Sequence, residues 1–154
     1  MAVSQFPGVV DALVTLLNAT ATLSAVVISD GLPISEDRMN DLVMIGSTGS
    51  PDDTRSGTIS QEYNDMAGVN STREERVEIS CCVISQTGDV DVSATRTRAF
   101  NILGYISDAV RANYTLGVSG VMRVELSDVE VFVEQFADGT SVRLPFTISV
   151  NSLI

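Results

Sequence analysis

From Val129 to Ile148 the chain carries apolar residues at nearly every second position on both sides of one dipeptide, Asp138-Gly139. Asp-Gly between such runs is a strong short-range signal for a two-residue hairpin, because both residues accept the backbone angles that a tight turn demands. Taking these two residues as the turn sets Ala137 opposite Thr140 and determines each pair outward. Val133 then meets Leu144, Val131 meets Phe146 and Val129 meets Ile148 on one face, while Glu134 meets Arg143 on the other. A slip of one residue would move the whole apolar set to the wrong face. The segment therefore commits the chain to an antiparallel sheet with one buried side. Pro145 has no N–H to give to a ladder, which predicts an edge or a bulge beside it.

The rest of the chain supplies partners for that hairpin. β-Branched runs at Ser24–Ser29 and Asp41–Gly46 predict two strands, the first stopped by Asp30-Gly31 and Pro33. From Arg73 to Ile84, the residues Val77, Ile79, Cys81 and Val83 share one face and predict a central strand; Val121–Leu126 predicts a shorter one. Helical spacing occurs twice. Val9, Leu13, Leu16 and Leu17 follow Pro7 and predict a helix ending at about Asn18 or Ala19. Ala99, Leu103, Ile106 and Val110 predict a second helix, capped by Asp89, Asp91 or Ser93 and ending near Asn113, before Gly117 and Gly120. The expectation is one domain over residues 1–154 with an α+β fold: a mostly antiparallel sheet with two amphipathic helices packed on one face. Ser47 to Asn70 is polar, Gly-rich and nearly aperiodic, with room for a short edge strand around Thr58–Tyr63. A loop of about twenty residues in a small domain serves a function or folds against a partner.

Charge and composition exclude several functions. Nine arginines and no lysine stand against twelve aspartates and eight glutamates, for a net charge of −11. A clamp for nucleic acid or an anionic membrane needs a dense basic surface, which this chain lacks. No apolar run approaches the roughly twenty residues of a membrane span. Met1–Gln5 shows no basic stretch leading into an apolar one, so the expectation is no secretory signal and synthesis in the cytoplasm. The glycosylation patterns at Asn18, Asn70 and Asn113 then carry no weight. Cys81 and Cys82 are strand neighbours pointing to opposite faces, which predicts two reduced, half-buried thiols.

Histidine is absent, and with it the commonest general base, the commonest metal ligand and every Ser-His or Cys-His nucleophile. Three carboxylate spots remain: Asp52-Asp53, Glu74-Glu75, and Asp89 with Asp91. They read better as a loop tip, a solvated strand end and a helix N-terminus than as oxygen-only metal sites. Gly46–Pro51 has the look of a phosphate cradle but lacks its lysine. The reading is a chain with no catalytic residue, no metal and no cofactor that works by binding protein subunits. Arg96 and Arg98, near the start of the second helix, are candidates for holding a carboxylate of a neighbouring subunit.

Several phrases occur in a fixed order: an opening amphipathic helix, a strand ending at Asp30-Gly31, then Arg73-Glu-Glu-Arg-Val-Glu-Ile, Gly88-Asp-Val-Asp-Val, Arg96-Thr-Arg-Ala-Phe and Asp138-Gly-Thr-Ser-Val-Arg-Leu-Pro-Phe-Thr-Ile. That order, over nearly the full length, resembles the tail-terminator proteins of long-tailed bacteriophages, particularly those of high-GC actinobacterial hosts. The resemblance implies a homo-oligomeric ring, usually a hexamer, that docks on the last ring of the tail tube, stops its growth and presents a surface to the head–tail connector. It implies a virion protein, assembled in the host cytoplasm, whose partners are itself, the tail tube protein and the connector. DNA would pass through the lumen without specific binding, and no membrane is involved. The family has no catalytic residues to carry over. Within this reading Asp52, Asp53, Arg55 and Glu62 of the long loop, Arg96 and Arg98 of the helix, and Asp138 and Gly139 of the hairpin tip are the candidate subunit or tube contacts. Deleting Ser50 to Gln61 is expected to spoil assembly and leave the monomer folded. Another connector, adaptor or tail-tube protein is the nearest alternative, and a small carboxylate-based metal-binding domain or enzyme is an alternative of another class.

Overall fold

The fold is described from a computed structural model, over residues 3–33, 41–63, 73–88 and 90–154. In chain order the elements are α1 (Phe6–Ala19), β1 (Val27–Asp30), β2 (Asp41–Ile45), β3 (Gly57–Tyr63), β4 (Arg73–Thr87), α2 (Val92–Ala112), β5 (Val121–Ser127), β6 (Phe132–Phe136) and β7 (Gly139–Leu153). β4 and β7, the two long strands, pair antiparallel from Glu74–Leu153 to Thr87–Thr140 and form the middle of the sheet. Along the outer side of β4, β3 and β2 each pair with it end to end, with β1 parallel to β2 beyond; along the outer side of β7, β5 and β6 each pair with it end to end. The result is the expected α+β fold with a mostly antiparallel sheet.

One face of that sheet is the main core. Val77, Ile79, Cys81 and Val83 of β4 sit beside Val150, Ile148, Phe146 and Leu144 of β7, and Val43 and Ile45 of β2 extend the layer. Both helices cover it. Val9, Leu13 and Leu17 of α1 and Ala99, Ile102, Ile106 and Val110 of α2 are buried against these strands in a single cluster. α2 begins where expected: Asp91 caps it, its side chain accepting from the Ala94 N–H at 3.1 Å. Asp89 lies outside the described residues.

Three expectations are corrected at the level of elements. Ser24–Val26 is not strand, because Ala21–Leu23 forms a 3-10 turn and the Val26 N–H donates to the Leu23 carbonyl at 3.0 Å, delaying β1 to Val27. The aperiodic stretch after Gly46 is not one loop. Residues 46–56 leave the sheet between the Gly46 N–H, which donates to the Ser80 carbonyl, and the Ser56 carbonyl, which accepts from the Ser80 N–H. β3 then pairs with β4 from Gly57–Ile79 to Tyr63–Arg73, so the short strand expected near Thr58–Tyr63 is present. Residues 64–70 lie outside the described residues.

The hairpin register is the third correction. Phe136 pairs with Gly139, Val133 with Val142 and Glu134 with Ser141, so the turn residues are Ala137 and Asp138, and the register lies two residues from the expected one. Arg143 faces Phe132 instead of Glu134. Gly139 belongs to the strand for a steric reason: a Cβ there would stand 2.2 Å from the Thr87 carbonyl oxygen. Its small size serves the close approach of β7 to the end of β4. A shift of two keeps each residue on its predicted face, which is why the apolar side of β7 was foreseen correctly.

Pro145 lies inside the sheet, and the expected irregularity is on its outer side. The Pro145 carbonyl accepts from the Glu130 N–H at 2.9 Å, so its nitrogen also points towards the β5–β6 edge. There the ladder stops at Ser127–Thr147 and resumes at Phe132–Arg143, with Asp128 at φ 54° in the interruption. β5 and β6 are thus one edge, broken where the proline offers no donor.

Candidate subunit interface

The second face of the sheet is covered in part by the loop of residues 46–56. Leu42, Met44 and Cys82 form a small buried cluster there with Ile84 packed against it. Gly49, at φ 75°, brings its backbone close enough that a Cβ would lie 3.0 Å from Met44 Cε and 3.1 Å from Cys82 Sγ. Arg143 fastens the loop by donating from Nη1 to the Thr48 carbonyl at 2.9 Å, while its guanidinium lies 4.3 Å from the centre of the Phe132 ring. Cys82 is thus fully buried under the loop and Cys81 on the opposite face in the main core, which corrects the expectation of half-buried thiols. Burial pushes each thiol up to about 12 from an ordinary value of 9.0. Neither supplies a thiolate near neutral pH.

The same loop leaves its amides engaged. Gly49 N–H donates to Ser47 Oγ, Ser50 N–H to Thr48 Oγ1 and Asp52 N–H to Ser50 Oγ. A phosphate cradle needs such groups turned outward. Asp52 and Arg55 are exposed at the loop tip; Asp53 accepts from the Arg55 N–H at 3.1 Å and pairs with its guanidinium at 3.8 Å. Glu62 sits on β3 directly opposite Glu74, two exposed like charges across one rung. Because β3 is a strand of the sheet, deletion of Ser50 to Gln61 would remove most of it and uncover the Cys82 cluster, so the monomer would not survive that deletion intact.

Glu75 departs from the expected solvated strand end. It is 2% exposed; one carboxylate oxygen accepts the Gln5 N–H at 2.8 Å, at the N-terminus of α1, and the other accepts from Gln61 Nε2 at 2.7 Å. Gln61 Nε2 also donates to the Val3 carbonyl at 2.7 Å. One buried carboxylate thereby ties α1, β3 and β4, satisfying a helix-end donor that would otherwise stay unpaired.

The two helix arginines separate. Arg98 donates to Asp41 at the start of β2, from both Nε and Nη2, and the other Asp41 oxygen accepts from Ser85 Oγ at 2.8 Å. That side chain fastens α2 to the sheet within the monomer. Arg96 is exposed. Asp138 is exposed at the turn, and Gly139 is buried beneath it.

Of the β5–β6 edge the candidate residues mark only the tip, at Asp138. Every residue from Asp128 to Asp138 is exposed, among them Val129, Val131, Phe132, Val133 and Phe136, the last at 54%. This run also carries Asp128, Glu130, Glu134 and Asp138 and no base. An uncovered apolar edge strand invites pairing and is usually shielded in a monomer. The signal was present in the sequence: Phe132 and Phe136 fall on the opposite parity from Val131 and Val133, so the segment is apolar on both faces. At the other end of the same edge a groove of about 710 Å³ opens between β5 and the C-terminal part of α2, with Val110, Arg111, Tyr114, Met122 and Arg123 among its walls.

No family model matches the chain, and no curated protein matches it. Among solved structures, it is similar to a chain in the virion of a native gene transfer agent (GTA) particle, with a TM-score of 0.61 and 15% sequence identity, over 98% of this chain and 100% of that one.

Proposed function

We propose that this chain is a non-enzymatic structural protein of a virion, and within it a tail terminator. The observation that supports this best is the end-to-end likeness to a whole chain of a phage-like particle, with neither chain leaving a substantial part unmatched. The uncovered edge from Asp128 to Asp138 agrees with it, because a surface of that kind is tolerable in a protein that spends its working life in an assembly. In this reading copies of the chain form a ring, a hexamer by the family resemblance, that caps the tail tube, ends its polymerisation and receives the head–tail connector. The loop carrying Asp52, Asp53 and Arg55, the β3 residue Glu62, Arg96, and the tip at Asp138 are candidate contacts with subunits or tube. Arg98 would contribute through the placing of α2. The charge of −11 further suggests an acidic lumen, along which DNA slides without holding points; a basic channel wall in the assembled ring would overturn that.

Negative-stain imaging of the purified chain, alone and after mixing with tail tubes, tests the reading. The expected result is rings one subunit thick that sit on tube ends and stop elongation. Unlimited tubes grown by this chain itself would overturn the terminator role in favour of a tail-tube protein.

A further inference from the structure

The two ends of the β5–β6 edge complement each other in charge and polarity. The arm at one end, from Asp128 to Asp138, is exposed at every residue, carries Phe132, one side of which lies against Arg143, and Phe136 beside four acids, and has no base. The groove at the other end has room for more than one large side chain, apolar walls from Val110, Met122 and Tyr114, and two cations, Arg111 and Arg123, against one acid, Glu125. Arg123 is also paired with Glu125, which leaves Arg111 as the stronger attractor. Of the other edges, β3 sets Glu62 beside Glu74 of β4, two acids that would repel the arm at that rung. Along β7 the midpoints of groove and arm, near Val124 and Val133, lie about 25–30 Å apart, so the two phenylalanines of the arm cannot reach the groove of their own copy.

We propose that the β6 arm of one copy docks in the α2–β5 groove of a second copy. Phe136 and Phe132 bury against Met122 and Tyr114, and Glu130 and Glu134 face Arg111. Two different patches meet, so the contact is heterologous and repeats head to tail; it closes into a ring or continues as a filament according to the rotation it imposes. The contact rests on the ring reading only for its closure.

Self-association of the full-length chain, measured by sedimentation, tests it with the variants R111E, E130R/E134R and all three changes together. Each of the first two is expected to weaken association at least about tenfold, because it sets like charges against each other, and the combined variant to recover to within about threefold of wild type. Phe136→Cys in one copy and Met122→Cys in another are expected to form a disulfide on mixing, and neither variant to do so by itself. Unchanged association in both charge variants, no recovery in the combined one, no mixed disulfide, or a wild type that stays monomeric up to about 1 mM would each overturn the contact. Rings that survive every variant would sink the contact and leave the terminator reading standing; open filaments abolished by the variants would do the reverse.

Discussion

At the residue scale, space and burial decide more than charge does. Gly139 is required by proximity, not by backbone angle, since its φ is not positive and the obstacle to a side chain is the Thr87 carbonyl. Gly139→Ala is expected to lower stability by about 1–3 kcal/mol through forced separation of β7 from β4, read as a lower urea midpoint at constant slope. The two thiols make a pH prediction. Each has a folded value of about 12 against 9.0 for the ordinary thiol, so below pH 9 both states keep their protons and the thiols add no pH dependence. Between pH 9 and 12 the unfolded chain releases protons that the folded one retains, and stability falls as pH rises. Urea midpoints measured across that interval should fall in wild type and fall less steeply in Cys81→Ala/Cys82→Ala. Equal slopes would show that the thiols are open to solvent.

At the scale of elements, the helices are held to the sheet by a few polar fastenings in addition to the apolar layer. Asp91 begins α2, Arg98 with Asp41 and Ser85 fixes its flank, and Glu75 holds the start of α1 to β3 and β4. Asp91→Ala is expected to cost about 1 kcal/mol, the usual price of a lost N-cap, with a lower thermal midpoint and little change in fold. The cap at Asp91 was legible because cap chemistry is local: a short acceptor just before an apolar-periodic run. Glu75 was not legible, because its partners Gln5 and Gln61 are distant in the chain and only the sheet brings them together. Nor was the true register of the hairpin. Local turn preference favours Asp-Gly at the centre, but the packing of Gly139 on Thr87 is a contact between strands, and it moves the turn back by one residue and the pairing by two.

At the scale of the whole molecule, the net charge of −11 keeps copies apart through general repulsion, while the exposed arm and the groove attract locally. Solubility measured against pH is therefore expected to reach its minimum near the sequence isoelectric point of about 4.1, where the general repulsion vanishes; a minimum well above that value would indicate that many carboxylates are neutral at higher pH in the folded chain.

By itself the sequence determined the class of fold, both helices, the central strands, the inward faces of β4 and β7 and the lack of any His-based chemistry. These follow from periodicity and residue type, which are local and survive an error of two in register. Tertiary structure alone decided that the loop after Gly46 turns back over Cys82, that Glu75 is buried, that Arg98 is engaged within the monomer, and that the arm from Asp128 to Asp138 is left exposed by the described residues. Each of those depends on which distant segment arrives beside a residue. An alternating pattern states which side of a strand prefers to be dry, but only the assembled sheet shows whether anything lies on that side.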